Sequence, residues 1–600
     1  MPLSPARTAA AVVTFAVILA LVSSAGDSLI VDEIPHIGAG YSYVSTGDMR
    51  LNPEHPPLAK SLAGLGVLGF ADGTTAFASP FWTANVNGQW DFGRLLIYNS
   101  GNNAELIKQA ARVPMLLFFV LSALVLWRWA VSRYGRGAGV MAVVLFAFSP
   151  TVLAHARFVT TDMPAAFGVL VATWLFVGYL RGPDRRSFVL ASLGLGVALL
   201  TKFSTVLLIP YFFLVAALWA FGERHGRLRP AAARAVRWWW RTALVCATAF
   251  VFVVWPVYLL HTAAYPVDRQ VRDTTSILGQ QPGPLVARTA VWLADKPVLR
   301  AAGHYATGLA MVLQRSAGGN TIYWLGNVVK TGGPWYFPIV YFLKESLAWW
   351  ILAALAVASL IVRPRRSHEH GHRPRRGEWW ADHFDELAML LWLAVYWLSS
   401  VTSTLNIGVR HLLPVYPFTI LLVSGRLAGI VEWLRRREPA RLRIVAGGIA
   451  LLMGWYVYET VAVHPYYLTY FNQIAGGPSG GYRYVVDSNL DWGQDLSRLS
   501  AYLDERGIAE VELDYFGWAD PYYYLGDRVV WGTAGKYASA EEFIRRNRTD
   551  GWIAVSATFL QNSNGFKTFD PGDKRSYLWL TQYEPEAIVG HSIFVWHITE

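Results

Sequence analysis

The sequence predicts a polytopic α-helical membrane protein that ends in a small α/β domain, and three observations predict it. Of its 600 residues, 54% are hydrophobic, 14% aromatic and only 16% charged, which is too apolar for a water-soluble chain of this length. The apolar residues gather in runs that approach the roughly 20 residues needed to cross a bilayer. Basic residues cluster between alternate runs, the pattern by which cytoplasmic loops are marked. The formal net charge of +11 arises from these clusters. They form no continuous basic face, which argues against a nucleic-acid partner. Cys246 is the only cysteine, so an intramolecular disulfide and a cysteine metal site are ruled out.

The runs fall near 8–26, 112–131, 138–156, 162–180, 187–201, 203–222, 242–261, 337–362, 386–404, 411–431 and 443–462, about eleven spans, of which 187–201 is the weakest. Arg7 precedes the first run. Arg128, Arg133 and Arg136; Arg181, Arg185 and Arg186; Arg224 to Arg241; Arg363 to Arg376; and Arg435 to Arg443 mark every second loop. The N-terminus is then cytoplasmic, and residues 27–111, the turn at 157–161, the loop 262–336 and everything from 463 to 600 lie outside a plasma (inner) membrane. The small residues of "LVSSAG" also fit a signal-peptide cleavage site after the first run, which would leave Asp32 outside all the same.

Within 27–111, "PPLAKSLAGLGVLGFA" at 56–71 is too short and glycine-rich to span, and Pro56 and Pro57 suit a helix start, so an interfacial helix is expected there. The 262–336 loop should hold similar surface helices. After 463, "RYVVDSN", "EVELDYFG", "GWIAVSA" and "SIFVWHI" read as strands. "DLSRLSAYLDERG" and "SAEEFIRRNR" read as helices between them, giving an α/β domain with some parallel strands. "SHEHGHRPRR" at 367–376 reads as a solvated cytoplasmic loop. Residues 1–462 form the membrane part and 463–600 the C-terminal domain.

Charged and titratable residues from distant parts of the chain all fall on the outer side: Asp32 and Glu33 in "VDEIPH", His55 and Lys60 in "NPEHPPLAK", Arg157 and Asp162 in "HARFVTTDMP", and Arg410 and His411 in "RHLLPVYP". Scattered placement would put them on both faces, so their convergence points to a site. Each has a plainer reading alone: a hydrated loop start for the acidic pair, a snorkelling side chain for Lys60, a helix cap for Asp162 and a headgroup anchor for Arg410.

Together, "DEIPHIGAGYSYVSTGDMRLNPEHPPLAK" at 32–60 and "RFVTTDMP" at 157–164 resemble the membrane glycosyltransferases of the GT-C fold. Among these the nearest is the superfamily of protein O-mannosyltransferases and lipid A aminoarabinose transferases. The resemblance covers roughly residues 8–460 and implies a polyprenyl-phosphate-linked sugar as donor. It makes Asp32 the catalytic carboxylate, Glu33 its neighbour, Asp162 a second acidic site residue and Lys60 a ligand of the donor phosphate. "DWGQD" at 491–495 lacks the pattern of the oligosaccharyltransferase "WWDYG" motif, and the tail beyond 463 leaves the acceptor (protein, lipid or glycan) open.

The physics leads to the same donor. Nucleotide sugars are made inside, and the chain has neither a Walker-type nor a Rossmann-type glycine loop, so an activated sugar must reach an outer site on lipid. Arg410, with His55 and Arg157 nearby, joins Lys60 as a candidate for the phosphate. A carboxylate takes the acceptor proton while cations stabilise the departing phosphate, in one inverting displacement. Asp32, Glu33, Asp162 and His55 also supply oxygen and nitrogen ligands enough for a divalent cation, although their spacing fits no fixed motif. A transporter or flippase of a lipid-linked sugar is the alternative, since charges facing a cavity serve transport as well. No internal duplication of the spans supports it.

Overall fold

The computed structural model describes residues 4–222, 231–279, 285–362, 376–547, 551–569 and 576–599. Among them, eight helices are long and apolar enough to cross a membrane: Pro5–Ala25, Ala104–Tyr134, Asp162–Arg181, Phe203–Gly222, Ala232–His261, Phe384–Val401, Val409–Arg437 and Pro439–Ala462. Two bent pairs, Arg136–Ala147 with Pro150–Ala156 (65°) and Gly333–Lys344 with Leu347–Leu360 (109°), raise the number to ten if each is one span. The eleventh expected span, 187–201, is a helix of only 15 residues, Arg185–Leu199. It packs along Asp162–Arg181 and returns the chain to Lys202, whose ammonium lies 2.6 Å from the Asp162 carboxylate.

Opposite that contact, Asp385 at the start of Phe384–Val401 receives Arg133 (3.1 Å), Arg181 and the Trp129 indole N–H (2.8 Å). Arginines from two of the loops read as cytoplasmic thus share one carboxylate at one end of the bundle, while Asp32, Asp162 and Arg410 meet at the other. "SHEHGHRPRR" lies, but for its last residue, outside the described residues.

The expected interfacial helix is present as Leu58–Val67, and the 27–111 segment folds further than expected, into Glu33–Thr46, Gln89–Tyr98 and Ala104–Arg112 as well. Glu33–Thr46 crosses Leu58–Val67 with backbones in contact. A Cβ on Gly40 would fall 2.0 Å from the Lys60 carbonyl oxygen, and one on Gly64 would fall 2.2 Å from that of Gly40. Only glycine permits that crossing. The 262–336 loop holds Val267–Leu278, Leu285–Leu293 and Arg300–Gly318, followed by a hairpin of Ile322–Trp324 and Asn327–Val329 that the sequence did not suggest.

The C-terminal part carries a five-stranded sheet in the spatial order Val529–Trp531, Val511–Asp514, Gly551–Ser556, Ile593–Ile598, Ala587–Val589. Val511–Asp514 runs parallel to both neighbours, and the other two pairings are antiparallel. Helices Leu496–Arg506 and Ala540–Asn547 stand where expected. One strand expectation fails: "RYVVDSN" forms tight turns, with a lone bridge from Val485 to Trp324. Its alternation ends at Asp487, whose φ of 57° is left-handed. Residues 463–496 are threaded through the membrane part. Asn472 donates to the carbonyls of Phe342 (2.7 Å) and Glu345 (3.1 Å), and Lys344 donates to those of Leu468 and Asn489 (both 2.7 Å). Apolar side chains of both parts form one continuous core.

Candidate active site

Asp32 follows a short extended segment that leaves the first span and is clamped to the C-terminal part: Ser28 and Val31 donate backbone hydrogen bonds to the carbonyls of Gln494 (2.8 Å) and Trp492 (3.0 Å). It stands at the start of Glu33–Thr46, yet its side chain caps no backbone N–H. The carboxylate instead meets Arg410 Nη1 at 2.7 Å. Arg410 belongs to the tight turn Val409–Val415 that opens the span ending at Arg437, and the same nitrogen lies 3.5 Å from Asp162. Asp162 is the first residue of its helix and accepts from Lys202 on its other oxygen. The guanidinium lies 4.0 Å from the centroid of the Trp492 ring, a cation–π contact. Lys202, Asp162, Arg410 and Asp32 therefore form a row of alternating charge.

Lys202, Arg410 and Asp32 of this row border a cavity of about 330 Å³. Asp32, His36, His55, Lys202, Arg315 and Arg410 supply its polar side, and Phe203, Leu207, Met311, Val312 and Phe337 much of its apolar side. Such a chamber suits an amphiphile, with an anionic group against the cations and a hydrocarbon along the apolar wall. Of the carboxylates expected at the site, Asp32 is the open one: its side chain is 25% exposed, against 1% for Asp162 and 0% for Glu33.

Two histidines face the same chamber edge to face, with ring centroids 5.1 Å apart. His36 Nδ1 donates to the Val159 carbonyl at 2.7 Å, so in the neutral ring Nε2 is the acceptor. Burial lowers the proton affinity of His36, with the Asp32 charge opposing. His55 is held well below the ordinary imidazole range, by burial first and then by His36, Lys60, Lys202 and Arg315. Its Nδ1, along with Arg410 Nε and His411 Nε2, is buried without a hydrogen-bond partner among the described residues. Buried polar atoms of this kind normally find partners, so these mark places a ligand or water would satisfy.

Three expected site residues are directed elsewhere. Glu33 is buried in a forked pair with Arg112, at 2.8 and 2.6 Å, and its oxygens also accept from the backbone N–H groups of Ile30 and Val159, both at 3.0 Å. One residue further along a helix, a side chain turns by roughly 100°, which takes Glu33 off the cavity face. Lys60 spends its ammonium on the Tyr43 hydroxyl (2.9 Å), the Asn52 carbonyl (2.6 Å) and side-chain oxygen (2.9 Å), and the His55 carbonyl (2.7 Å). It thereby ties down the segment that presents His55, and holds Asn52 at a left-handed φ of 52°. Arg157 meets Asp27 at 2.7 Å, and Asp27 also meets Arg498 at 2.7 Å, so Arg157 joins the first span to the C-terminal part.

Sequence reasoning missed Lys202 and Arg315; it placed His411 beside Arg410 on the outer side and noted His36 in "VDEIPH", but gave neither a role. Lys202 carried the signal that found Asp162, a charge at an outer turn between two apolar runs. As for a cation, no three His, Cys, Asp or Glu side chains among the described residues are placed to hold one. The set Asp32, Glu33, Asp162 and His55 does not converge, because Glu33 faces Arg112 and Asp162 faces Lys202.

A family model described as dolichyl-phosphate-mannose-protein mannosyltransferase matches residues 105–255, the stretch that carries Asp162 and Lys202. Among solved structures, the S. cerevisiae protein O-mannosyltransferase Pmt1-Pmt2 complex bound to the sugar donor is similar at a TM-score of 0.52 and 13% identity, over 78% of this chain and 90% of that one. The fold is that of the GT-C membrane glycosyltransferases. ArnT from Cupriavidus metallidurans bound to undecaprenyl phosphate is similar over 98% of this chain and 97% of its own, at 12% identity and a TM-score of 0.45. The Archaeoglobus fulgidus oligosaccharyltransferase tethered to an acceptor peptide is similar over 91% and 69%, at 11% identity and a TM-score of 0.44. A search of the curated proteins finds no match.

Proposed function

We propose that this multi-pass GT-C protein is an inverting glycosyltransferase that moves a sugar from a polyprenyl-phosphate carrier to an acceptor hydroxyl at the outer face of the membrane. The observation that carries the reading is the pairing of one open carboxylate, Asp32, with Arg410 at the edge of a chamber that has a cationic side and an apolar side. Arg410, Lys202 and Arg315 take the donor phosphate in place of the expected Lys60 and Arg157, while His55 borders it as a neutral ring. The isoprenoid lies along the apolar wall.

The step is a single displacement. The acceptor oxygen forms a bond to the anomeric carbon and its proton passes to Asp32. The bond from that carbon to the phosphate oxygen breaks with its electron pair, so the phosphate leaves with one more negative charge. Arg410 and Lys202 sit where that charge grows, and preorganised cations there lower the barrier. Arriving phosphate competes with Asp32 for Arg410, so donor binding frees the base that the acceptor needs. The acceptor hydroxyl belongs to a protein, lipid or glycan outside the cell, reached from the side of the C-terminal part.

The test is transfer of sugar from a synthetic polyprenyl-phosphate donor by purified wild type and Asp32→Asn, with donor binding measured on the same samples. Transfer by wild type, lost in a variant that still binds donor, supports the reading. An Asp32→Asn protein that transfers at the wild-type rate overturns it.

A further inference from the structure

The "DSNLDW" segment, residues 487–492, belongs to the C-terminal part and to no element of its sheet, yet it holds both members of the central ion pair. Ser488 Oγ donates to the Ile407 carbonyl at 2.5 Å, and Asn489 Oδ1 accepts from the Val409 N–H at 2.9 Å, which fixes the backbone immediately before Arg410. Asn489 is itself oriented by donating to the Tyr336 hydroxyl (3.0 Å) and the Val486 carbonyl (3.1 Å). The Trp492 face then lies under the guanidinium at 4.0 Å. The Trp492 carbonyl accepts from the N–H of Val31, the residue before Asp32, at 3.0 Å. At the head of the segment, Asp487 keeps a φ of 57°, a conformation that non-glycine residues hold only where the surroundings impose it.

We infer that Asn489 and Trp492 are positioning residues for the Arg410–Asp32 pair, so that the C-terminal part completes the donor-phosphate site from outside the membrane. This rests on the glycosyltransferase reading above. The chemistry explains the choice of groups. A guanidinium that must leave one carboxylate for a phosphate needs a support that does not compete as an anion, and an indole face holds it through the ring quadrupole without neutralising it. The backbone clamp at 407–409 keeps the planar fork in register for two oxygens, a geometry in which small displacements are costly.

A double-mutant cycle separates this role from simple packing. Trp492→Leu should lower kcat/KM for a synthetic polyprenyl-phosphate sugar roughly tenfold, in line with a desolvated cation–π support, while Trp492→Phe, which keeps a ring face, should stay within about threefold. In an Arg410→Ala background the same Trp492→Leu change should cost less than about twofold, because the group it positions is gone. Asn489→Ala should behave as Trp492→Leu does. Full additivity of the losses would overturn the inference. A wild type without transfer overturns the parent reading instead; the cycle is then read on binding of undecaprenyl phosphate, and additivity there, or no binding, overturns the inference too.

Discussion

Two charged networks part company between Asp32 and Glu33. On one side, Asp32, Arg410 and Lys202 border a chamber, and Asp162 lies between the two cations. On the other, the Glu33 carboxylate is saturated by the Arg112 fork and two backbone N–H groups, and Arg157 faces Asp27 beside Arg498. The residue types are the same and the positions are neighbours. The difference is what the surroundings leave for the charge to do: a satisfied buried pair fixes a junction between chain segments, whereas an open pair next to a cavity can exchange partners.

The largest effect should come from breaking the open side. Asp32→Asn keeps shape and removes the base, so transfer should fall by roughly two to four orders of magnitude, the range for losing a positioned general base. Folding should persist, since Arg410 retains Asp162. Glu33→Gln should do the reverse. It leaves the Arg112 charge buried without its counterion, and removing one partner of a buried pair costs about 3–5 kcal/mol. A lowered unfolding midpoint with turnover per folded molecule retained is the expected result; a selective loss of turnover at unchanged stability would return Glu33 to the chemistry.

The same comparison can be sharpened with two lysines. Lys202 borders the chamber, whereas Lys60 is fully buried among four hydrogen bonds. Lys202→Met should raise the donor KM about tenfold, the loss of one charge-assisted contact, and should also cost some stability, because the buried Asp162 carboxylate is left with Arg410 at 3.5 Å as its cation. Lys60→Met should lower stability and loosen the 48–57 segment. Donor titrations and thermal unfolding of the two variants check the assignment, and interchanged phenotypes would exchange the roles.

The sequence told which end of the bundle each charge occupies but not which way its side chain points. Alternating arginine clusters and apolar runs located the helices, and the outer-side rule collected Asp32, His55 and Arg410, which line one chamber, and Asp162, which pairs with Lys202 and Arg410 beside it. It could not separate Asp32 from Glu33, because adjacent residues share a depth and differ only in direction around the helix. It assigned Lys60 and Arg157 to the phosphate because a basic residue at an outer surface reads the same whether it faces a ligand or a neighbouring carbonyl. "RYVVDSN" misled for a related reason. Its alternation resembles a strand, while the left-handed turn at Asp487 and the side-chain hold on residues 407–409 depend on segments far away in sequence.

The smallest effect tests, through pH, a buried carboxylate in the 487–492 segment. Asp491 is fully buried at the start of helix Ala557–Phe569; one oxygen accepts from the Thr558 N–H at 2.9 Å and the other has no partner among the described residues. Burial, with Asp495 and Asp487 adding negative charge, pushes this carboxyl up to about 8, against the pull of Thr558. An unfolded aspartate loses its proton near pH 3.9. Between about pH 4 and about pH 8 the folded chain therefore binds more protons than the unfolded one, and stability falls as pH rises through that window. One proton can contribute at most about 1.4 kcal/mol per pH unit. Asp491→Asn is neutral throughout and keeps an oxygen for the Thr558 N–H, so its unfolding midpoint should fall less than that of wild type between about pH 5 and about pH 8. Parallel pH profiles for the two proteins would mean that Asp491 is already ionised in the fold, and that the unpartnered oxygen has a hydrogen-bond donor, such as bound water, that compensates its charge.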